Sequence, residues 1–326
     1  MFGSRKAAIL IIKREGLGAF VNADAAFAAI RDAHPRADIH LLTSGDLVRL
    51  AKAAPYFDNV LTDDAYSDPE ARKSFVKQLK SKKFQLVFDL DGTDASKKLF
   101  SALGSFKPKL CAPPPAKRGA KGATHPIDAY AQQLSNAGVS AERRPPDLSW
   151  ALDARKDAAN MQPSWYGLSG AFALLAPALE KEGGWPVDRY ARIAARIGDV
   201  GLSAVVVGGP DVADMGYEIA RSDPNVVNLA GKTDLLQLAA LAHEGAFFVA
   251  DDTGPAQLIA SVHCPGVMLF PNGAKPGARA PRGRDVVAIT ATPEQSIDAE
   301  LVWRTLGNMG VTPETDRGPK RRAFFA

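Results

Sequence analysis

Short runs of consecutive apolar residues recur along the chain, separated by segments whose apolar residues fall at helical spacing. The first run is Ala8–Ile12 (AILII), closed by KREGLG. An alanine-rich stretch, Ala23–Ala33, follows with Phe27 and Ile30 on one helical face. Then come Ala37–Leu42 (ADIHLL), a helical patch at Leu47–Ala54, Asn59–Leu61 (NVL) and, later, Leu86–Leu90 (LVFDL). The strand runs are continuous rather than alternating, which predicts strands covered on both faces. Alternation with helices predicts a parallel sheet built of βαβ units.

Residues 106–126 read as loop, being rich in proline and lysine (KPKLCAPPPAKRGAKGATHP). The pattern predicts a helix at Ile127–Ala137, an extended Arg143–Trp150, and a linker with some helix over Asp153–Gly170. A second α/β set then begins. Its predicted strands are Ala171–Leu175, Ala204–Val207, Val226–Leu229, Ala246–Ala250 and Val267–Phe270. Its predicted helices are Val187–Ile197, Val212–Ser222, Thr233–Ala242 and Pro255–Val262. The expected organisation is a first Rossmann-like domain over 1–150, a linker over 151–170, and a second Rossmann-like domain over 171–326 with a basic tail. Ligands of such sheets bind beyond the carboxyl ends of the strands.

The length, 326 residues, suits two domains. No apolar run approaches the ~18 residues of a membrane span, and Ala7–Ile12 is too short for a signal peptide. Cys111 and Cys264 alone make neither a disulfide framework nor a metal site. The expected location is the cytoplasm, with the inner face of a bacterial inner membrane as the finer alternative. The net charge is +4, and the excess clusters: Lys107, Lys109, Lys117, Arg118 and Lys121 in one loop, Arg317, Lys320, Arg321 and Arg322 in the tail. Such clusters suit anionic partners. Aromatic residues are not interleaved with them, which argues against nucleic acid.

Two motifs carry candidate chemistry. Val87–Thr93 reads VFDLDGT, which resembles the signature of haloacid dehalogenase-like phosphatases. That resemblance would make Asp89 a nucleophile and Asp91 an acid/base, with Asp252 completing a magnesium site. Three features count against it. About eighty residues with their own βαβ pattern precede the motif. The residue after DGT is Asp94 rather than an apolar one. The candidate neighbouring strand ends, Ala176-Pro177 and Gly208-Gly209, carry no hydroxyl.

The second motif is longer. Val226–Pro271 reads VVNLAGKTDLLQLAALAHEGAFFVADDTGPAQLIASVHCPGVMLFP. With Gly208-Gly209-Pro210, with Trp185-Pro186 and with the opening AILIIKREGLGAF, it resembles glycosyltransferase family 9, the ADP-heptose:lipopolysaccharide heptosyltransferases. The resemblance implies a GT-B fold, two Rossmann-like parallel-sheet domains facing a central cleft. It implies an inverting glycosyltransferase that needs no metal or other cofactor. The donor would be a nucleotide-sugar, ADP-heptose by default, and the acceptor a lipopolysaccharide-core or related glycan. A peripheral contact with an anionic membrane would follow from the basic clusters.

Site residues follow from the matched motifs. Asp252, Thr253, Gly254 and Pro255 lie between a strand and a helix, where glycine permits close approach and free N–H groups receive a diphosphate; an ordinary helix cap is the plainer reading. Gln257, Gly208, Gly209, Lys181 and Lys232 complete the expected donor set. Gly16, Gly18 and Ala19 form the acceptor-side loop. The chain departs from the family at three places. Ala19 stands where members carry a catalytic Asp, Gln257 where they carry a His, and Gly183-Gly184 where they carry basic residues before Trp-Pro. Glu15 or Asp24 would then supply the base. The alternative is a catalytically impaired homologue that binds a nucleotide-sugar.

Overall fold

The computed structural model describes residues 6–62, 68–103, 108–113, 124–153, 162–271, 273, 276–282, 285–293 and 295–312. The chain divides into two compact units, Met1–Asp153 and Ala154–Ala326.

In the first unit, β1 (Ala8–Ile12) leads into α1 (Leu17–Asn22) and α2 (Asp24–Ala33). Next come β2 (Asp38–Thr43), α3 (Val48–Ala53), β3 (Asn59–Thr62), α4 (Pro69–Lys82), β4 (Leu86–Asp89), α5 (Asp94–Ala102), β5 (Lys109–Cys111) and α6 (Pro126–Asn136). All pairings are parallel and the strand order is β3-β2-β1-β4-β5. Ile9, Leu10, Ile11 and Ile12 are all buried, as a strand covered on both faces requires.

In the second unit, β6 (Phe172–Ala176), α7 (Val187–Asp199), β7 (Ser203–Val206), α8 (Ala213–Ser222) and β8 (Val226–Asn228) run in one direction across the sheet. Then α9 (Leu235–Glu244), β9 (Phe248–Asp251), α10 (Gly254–Ser261), β10 (Gly266–Phe270), β11 (Val286–Thr290) and α11 (Ala299–Asn308) run in the other. The order β11-β10-β9-β6-β7-β8 is again all parallel. Its core gathers Trp185, Tyr190, Ile193 and Ile197 against Leu175, Val249 and Leu269. Trp185 and Tyr190 meet edge to face with centroids 5.0 Å apart.

Each sheet therefore has a point where the chain reverses direction, between β1 and β4 in one and between β6 and β9 in the other. In open α/β sheets the crevice at that point is the binding position.

The loop expected over 106–126 contains a strand. β5 pairs with β4 in the register Val87↔Leu110 and Phe88↔Cys111. It is a three-residue edge strand between Pro108 and Pro113, so no hydrophobic run marked it. Lys107, Lys117, Arg118, Lys121 and the four basic residues of the tail lie outside the described residues, as does 154–161 of the expected linker. Among the described residues, no helix is long and apolar enough to cross a membrane.

Candidate functional site

The reversal point of the second sheet is braced by one carboxylate. Asp251 ends β9 and is almost fully buried. It accepts the backbone N–H of Ala178 at 2.8 Å and of Trp185 at 3.1 Å, both from the loop after β6. The Tyr190 hydroxyl donates to it at 3.1 Å. Burial raises its carboxyl to about 6, against the pull of those three donors in the other direction.

The Ala178–Gly184 loop is tight. Gly184 donates to the Leu179 carbonyl at 3.1 Å, and a Cβ on Gly184 would collide with the Ala178 carbonyl oxygen. Here the chain needs a glycine. Glu180 accepts the Val187 N–H at 2.7 Å and so holds the start of α7.

Next to Asp251 the chain turns into α10. Thr253 is the N-cap, and its hydroxyl accepts the Ala256 N–H at 3.3 Å. Gly254 and Pro255 form the first turn, where Pro removes a donor that would go unused and Gly leaves the approach open. Asp252 pairs with Arg279 Nε at 2.6 Å. Burial raises the Asp252 carboxyl, while Arg279 and Gln257 pull it back. Gln257 is buried and donates to the Arg279 carbonyl at 2.7 Å, fixing the turn after β10.

These elements enclose a cavity of about 100 Å³ lined by Gly183, Gly184, Asp252, Phe270, Pro271 and Arg279, among others. Among the described residues that line it, the cation is Arg279 and not Lys181. Lys181 sits exposed between Glu180 and Glu182 in a short 3-10 turn. Gly208 and Gly209 follow β7, and the Gly231 N–H donates to the Gly208 carbonyl at 3.0 Å. Gly231 has φ +71°, and a Cβ there would press on Pro210. Lys232 donates to the Asn228 carbonyl at 2.8 Å, and its ammonium lies 5.6 Å from the Tyr217 ring centre. This second group is at the ends of β7 and β8, so the structure places Lys232 three strands from Asp252, roughly 14 Å at normal strand spacing.

In the first unit, Gly16 is the N-cap of α1, and Gly18 and Ala19 fall in its first turn. Ala19 is half-buried. Glu15 is half-exposed and pairs with Lys13 Nζ at 2.5 Å. Lys13 is fully buried and also meets Asp91 at 3.1 Å. Burial opposes its charge, but Tyr130, Asp91 and Glu15 outweigh that and hold its ammonium above the usual lysine range. Asp24 opens α2. It is buried, and it takes the Arg144 guanidinium at 2.8 Å, the Tyr56 hydroxyl at 2.7 Å, the Asp147 N–H at 3.2 Å and the Trp150 indole at 3.3 Å.

The VFDLDGT geometry is that of a structural turn. Asp89 is buried and accepts the Asp91 and Gly92 N–H groups at 3.1 and 2.9 Å and the Ser96 hydroxyl at 2.7 Å. Asp91 accepts the Arg14 N–H at 2.9 Å and the Lys13 ammonium. Both carboxylates are thus occupied in tying the β4 loop to α5 and to β1. The phosphatase reading is corrected on that ground.

Sequence reasoning missed Asp251, Arg279 and the Lys13–Asp91 pair. Asp251 was legible as a carboxylate ending an apolar strand. Arg279 had no signal, because its position depends on a turn thirteen residues beyond the start of β10.

Comparison with known proteins agrees with this architecture. The family described as "Glycosyltransferase family 9 (heptosyltransferase)" matches residues 119–301, more than half of the chain. A putative glycosyltransferase of Haemophilus influenzae is 23% identical over 288 residues, 81% of this chain and 82% of that protein. Lipopolysaccharide heptosyltransferase 3 of Escherichia coli is 30% identical over 90 residues, and the match spans only 26% of either chain. The solved structure of the E. coli ADP-heptose lipopolysaccharide heptosyltransferase II superposes with a TM-score of 0.76 at 17% identity, over 93% of this chain and 98% of that one. The E. coli heptosyltransferase WaaC with ADP gives 0.75 at 17% identity, over 93% and 99%.

Proposed function

The chain belongs to glycosyltransferase family 9, and from that premise we propose that it moves a sugar, by default a heptose, from a nucleotide-diphosphate donor to a lipopolysaccharide-core or related glycan, with inversion. The observation that carries this reading is the braced crevice at the reversal point of the second sheet. There the first turn of α10, with Thr253 and Gly254, stands beside a polar cavity next to the loop after β6. N–H groups at a helix start, added to the helix dipole, receive a diphosphate. The nucleoside then lies toward β7 and β8, whose ends carry Gly208, Gly209 and Lys232. Similarity to proteins whose structures contain ADP or an ADP-heptose analogue supports the adenine nucleotide as default donor.

In the reaction, the acceptor hydroxyl gives its proton to a carboxylate as its oxygen bonds to the anomeric carbon. The bond from that carbon to the diphosphate oxygen breaks, and its electron pair leaves with the nucleotide. Positive charge and amide dipoles around the diphosphate stabilise the departing anion. Of the two carboxylates in question, Glu15 is the base. It is half-exposed at the end of β1, whereas Asp24 is buried under four donors. The Lys13–Asp91 pair holds the base of the Glu15 loop against β4.

One observation favours a second reading. Ala19, in the first turn of α1, has no group that takes a proton, and a nucleotide-sugar-binding homologue without turnover would look the same. Incubation with ADP-heptose and a heptose-deficient lipopolysaccharide core separates the two. Transfer is read as ADP released together with heptose added to the acceptor. Release by the wild type and its loss in Glu15→Gln supports the transferase. Donor binding with no transfer, unrescued by Ala19→Asp, supports the impaired homologue.

A surface of the first unit suits the proposed membrane contact. Arg72, Lys77 and Lys80 of α4 and Lys98 of α5 surround an apolar floor of Val76 and Ala102. A basic rim over apolar groups suits the headgroups of an anionic bilayer. Co-sedimentation with phosphatidylglycerol vesicles that falls with salt, and that is absent with phosphatidylcholine, is the expected result. Equal binding to both, or to neither, contradicts it.

A further inference from the structure

Gly183 and Gly184 stand directly before Trp185 and carry no charge, and Lys181 of the same loop does not line the cavity. Gly184 is fixed there by the close passage of the Ala178 carbonyl. Yet the transferase reading requires positive charge where the diphosphate leaves. The cavity obtains it from the opposite wall. Arg279, in the turn after β10, lines the cavity together with Gly183, Gly184 and Asp252. We propose that Arg279 binds the donor diphosphate, and that its ion pair with Asp252 keeps the guanidinium in place until the donor arrives.

Four observations support this. The Arg279 side chain is 61% exposed, so it can turn without disturbing a core. Its backbone is fixed, because buried Gln257 donates to its carbonyl at 2.7 Å. The side chain therefore pivots from an anchored turn. The pair to Asp252 involves Nε at 2.6 Å, while the guanidinium has five N–H donors in a planar fork suited to phosphate oxygens. Finally, the Asp252 carboxylate on the cavity wall would repel a diphosphate if it stood alone. Arg279 offsets that charge in the empty site and contributes charge-assisted hydrogen bonds in the filled one.

Gln257 gains a meaning from this arrangement. It stands where family members carry a histidine, and here it is the residue that holds the Arg279 turn against α10. Two of the chain's departures from the family pattern, Gly183-Gly184 and Gln257, thus converge on one new cation.

The inference rests on the donor reading of the same cavity, and the test separates their failures. Calorimetry would measure pyrophosphate, ADP and adenosine binding to the wild type, Arg279→Gln, Arg279→Lys and Lys181→Ala. Arg279→Gln should weaken ADP and pyrophosphate by about 10- to 100-fold, the worth of hydrogen bonds between charged groups. Adenosine should bind as before, Arg279→Lys should recover part of the loss, and Lys181→Ala should change little. Matching melting temperatures confirm that the variants fold. Unchanged pyrophosphate and ADP affinity in Arg279→Gln overturns the role of Arg279 and leaves the donor site standing. Equal loss of adenosine also overturns it, because the effect is then on the fold of the site. A wild type that binds pyrophosphate but not ADP overturns the adenine donor alone, and the Arg279 comparison is then read on pyrophosphate. A wild type that binds none of the three overturns both.

Discussion

The backbone N–H of Trp185 donates to the Asp251 carboxylate at 3.1 Å across the point where the second sheet reverses direction. One buried side chain thereby fixes the loop after β6 to the end of β9, and the cavity proposed for the donor lies against that joint. Removing the carboxylate in Asp251→Ala leaves the Ala178 and Trp185 N–H groups and the Tyr190 hydroxyl without their acceptor. The expected loss is about 2–4 kcal/mol of stability, measured by urea unfolding, together with loss of nucleotide binding. A variant of wild-type stability would contradict the bracing role.

The same residue sets a pH dependence. Its folded value, about 6, lies above the ordinary aspartate value of 3.8. Between those values the folded chain holds a proton that the unfolded chain has lost. Stability due to this group is therefore full below about pH 4 and falls as pH rises through 6, by on the order of 3 kcal/mol in all. Asp251→Asn cannot ionise. Its deficit relative to the wild type should shrink from pH 4 to pH 7, which urea unfolding at the two pH values reads directly. A deficit that is constant or grows would show the opposite sign.

Gly184→Ala adds a Cβ that meets the Ala178 carbonyl oxygen. Backbone stands on both sides of that contact, so the loop must shift as a whole, at a cost of about 1–3 kcal/mol. Nucleotide affinity should fall with it. Gly16→Ala, at a position with open space around its Cβ, serves as the control and should leave stability within about 1 kcal/mol of the wild type.

Glu15 and Asp24 separate by opposite effects. Glu15→Gln should keep stability within about 0.5 kcal/mol and lower kcat by about 10²–10⁴-fold. Asp24→Ala should lose about 2–4 kcal/mol, because Tyr56 and Trp150 lose their acceptor and Arg144 loses its ion partner. If Asp24→Asn folded as the wild type does and lost turnover while Glu15→Gln kept it, the two roles would be exchanged.

Asp89→Ala tests the corrected motif. With the Asp91 and Gly92 N–H groups left without their acceptor and the Ser96 hydroxyl left with the Thr93 carbonyl alone, it should unfold earlier in urea. Neither it nor the wild type should release phosphate from a phosphomonoester when magnesium is added.

Much of the fold could be read from the chain because its strands are buried on both faces. Ala8–Ile12 and Val267–Phe270 are unbroken apolar runs, and the structure has strands at Ala8–Ile12 and Gly266–Phe270. What escaped notice was polar or brief. α4 is lysine-rich and marked mainly by its cap, Asp68, which accepts the Ala71 N–H at 2.6 Å. α5 is signalled only by Thr93 at its start. At the site, DDTGP gave the α10 turn because capping chemistry is local. The pairing of Asp252 with Arg279, 27 positions on, depends on where a separate strand delivers its loop, and a linear pattern does not encode that. The sequence around VFDLDGT already counted against a phosphatase, but the partners of its carboxylates were not legible: Asp89 takes the Asp91 and Gly92 N–H groups and the Ser96 hydroxyl, and Asp91 takes donors from Lys13 and Arg14.

The central claim is that residues 171–301 hold a nucleotide-sugar. Calorimetric titration of the whole chain with ADP and with ADP-heptose, without added metal, tests it most directly. Saturable binding of both is expected, weakened in Gly184→Ala. At about 100 times its dissociation constant either ligand should also stabilise the fold by ~2.7 kcal/mol. No heat and no stabilisation with either nucleotide would contradict the account.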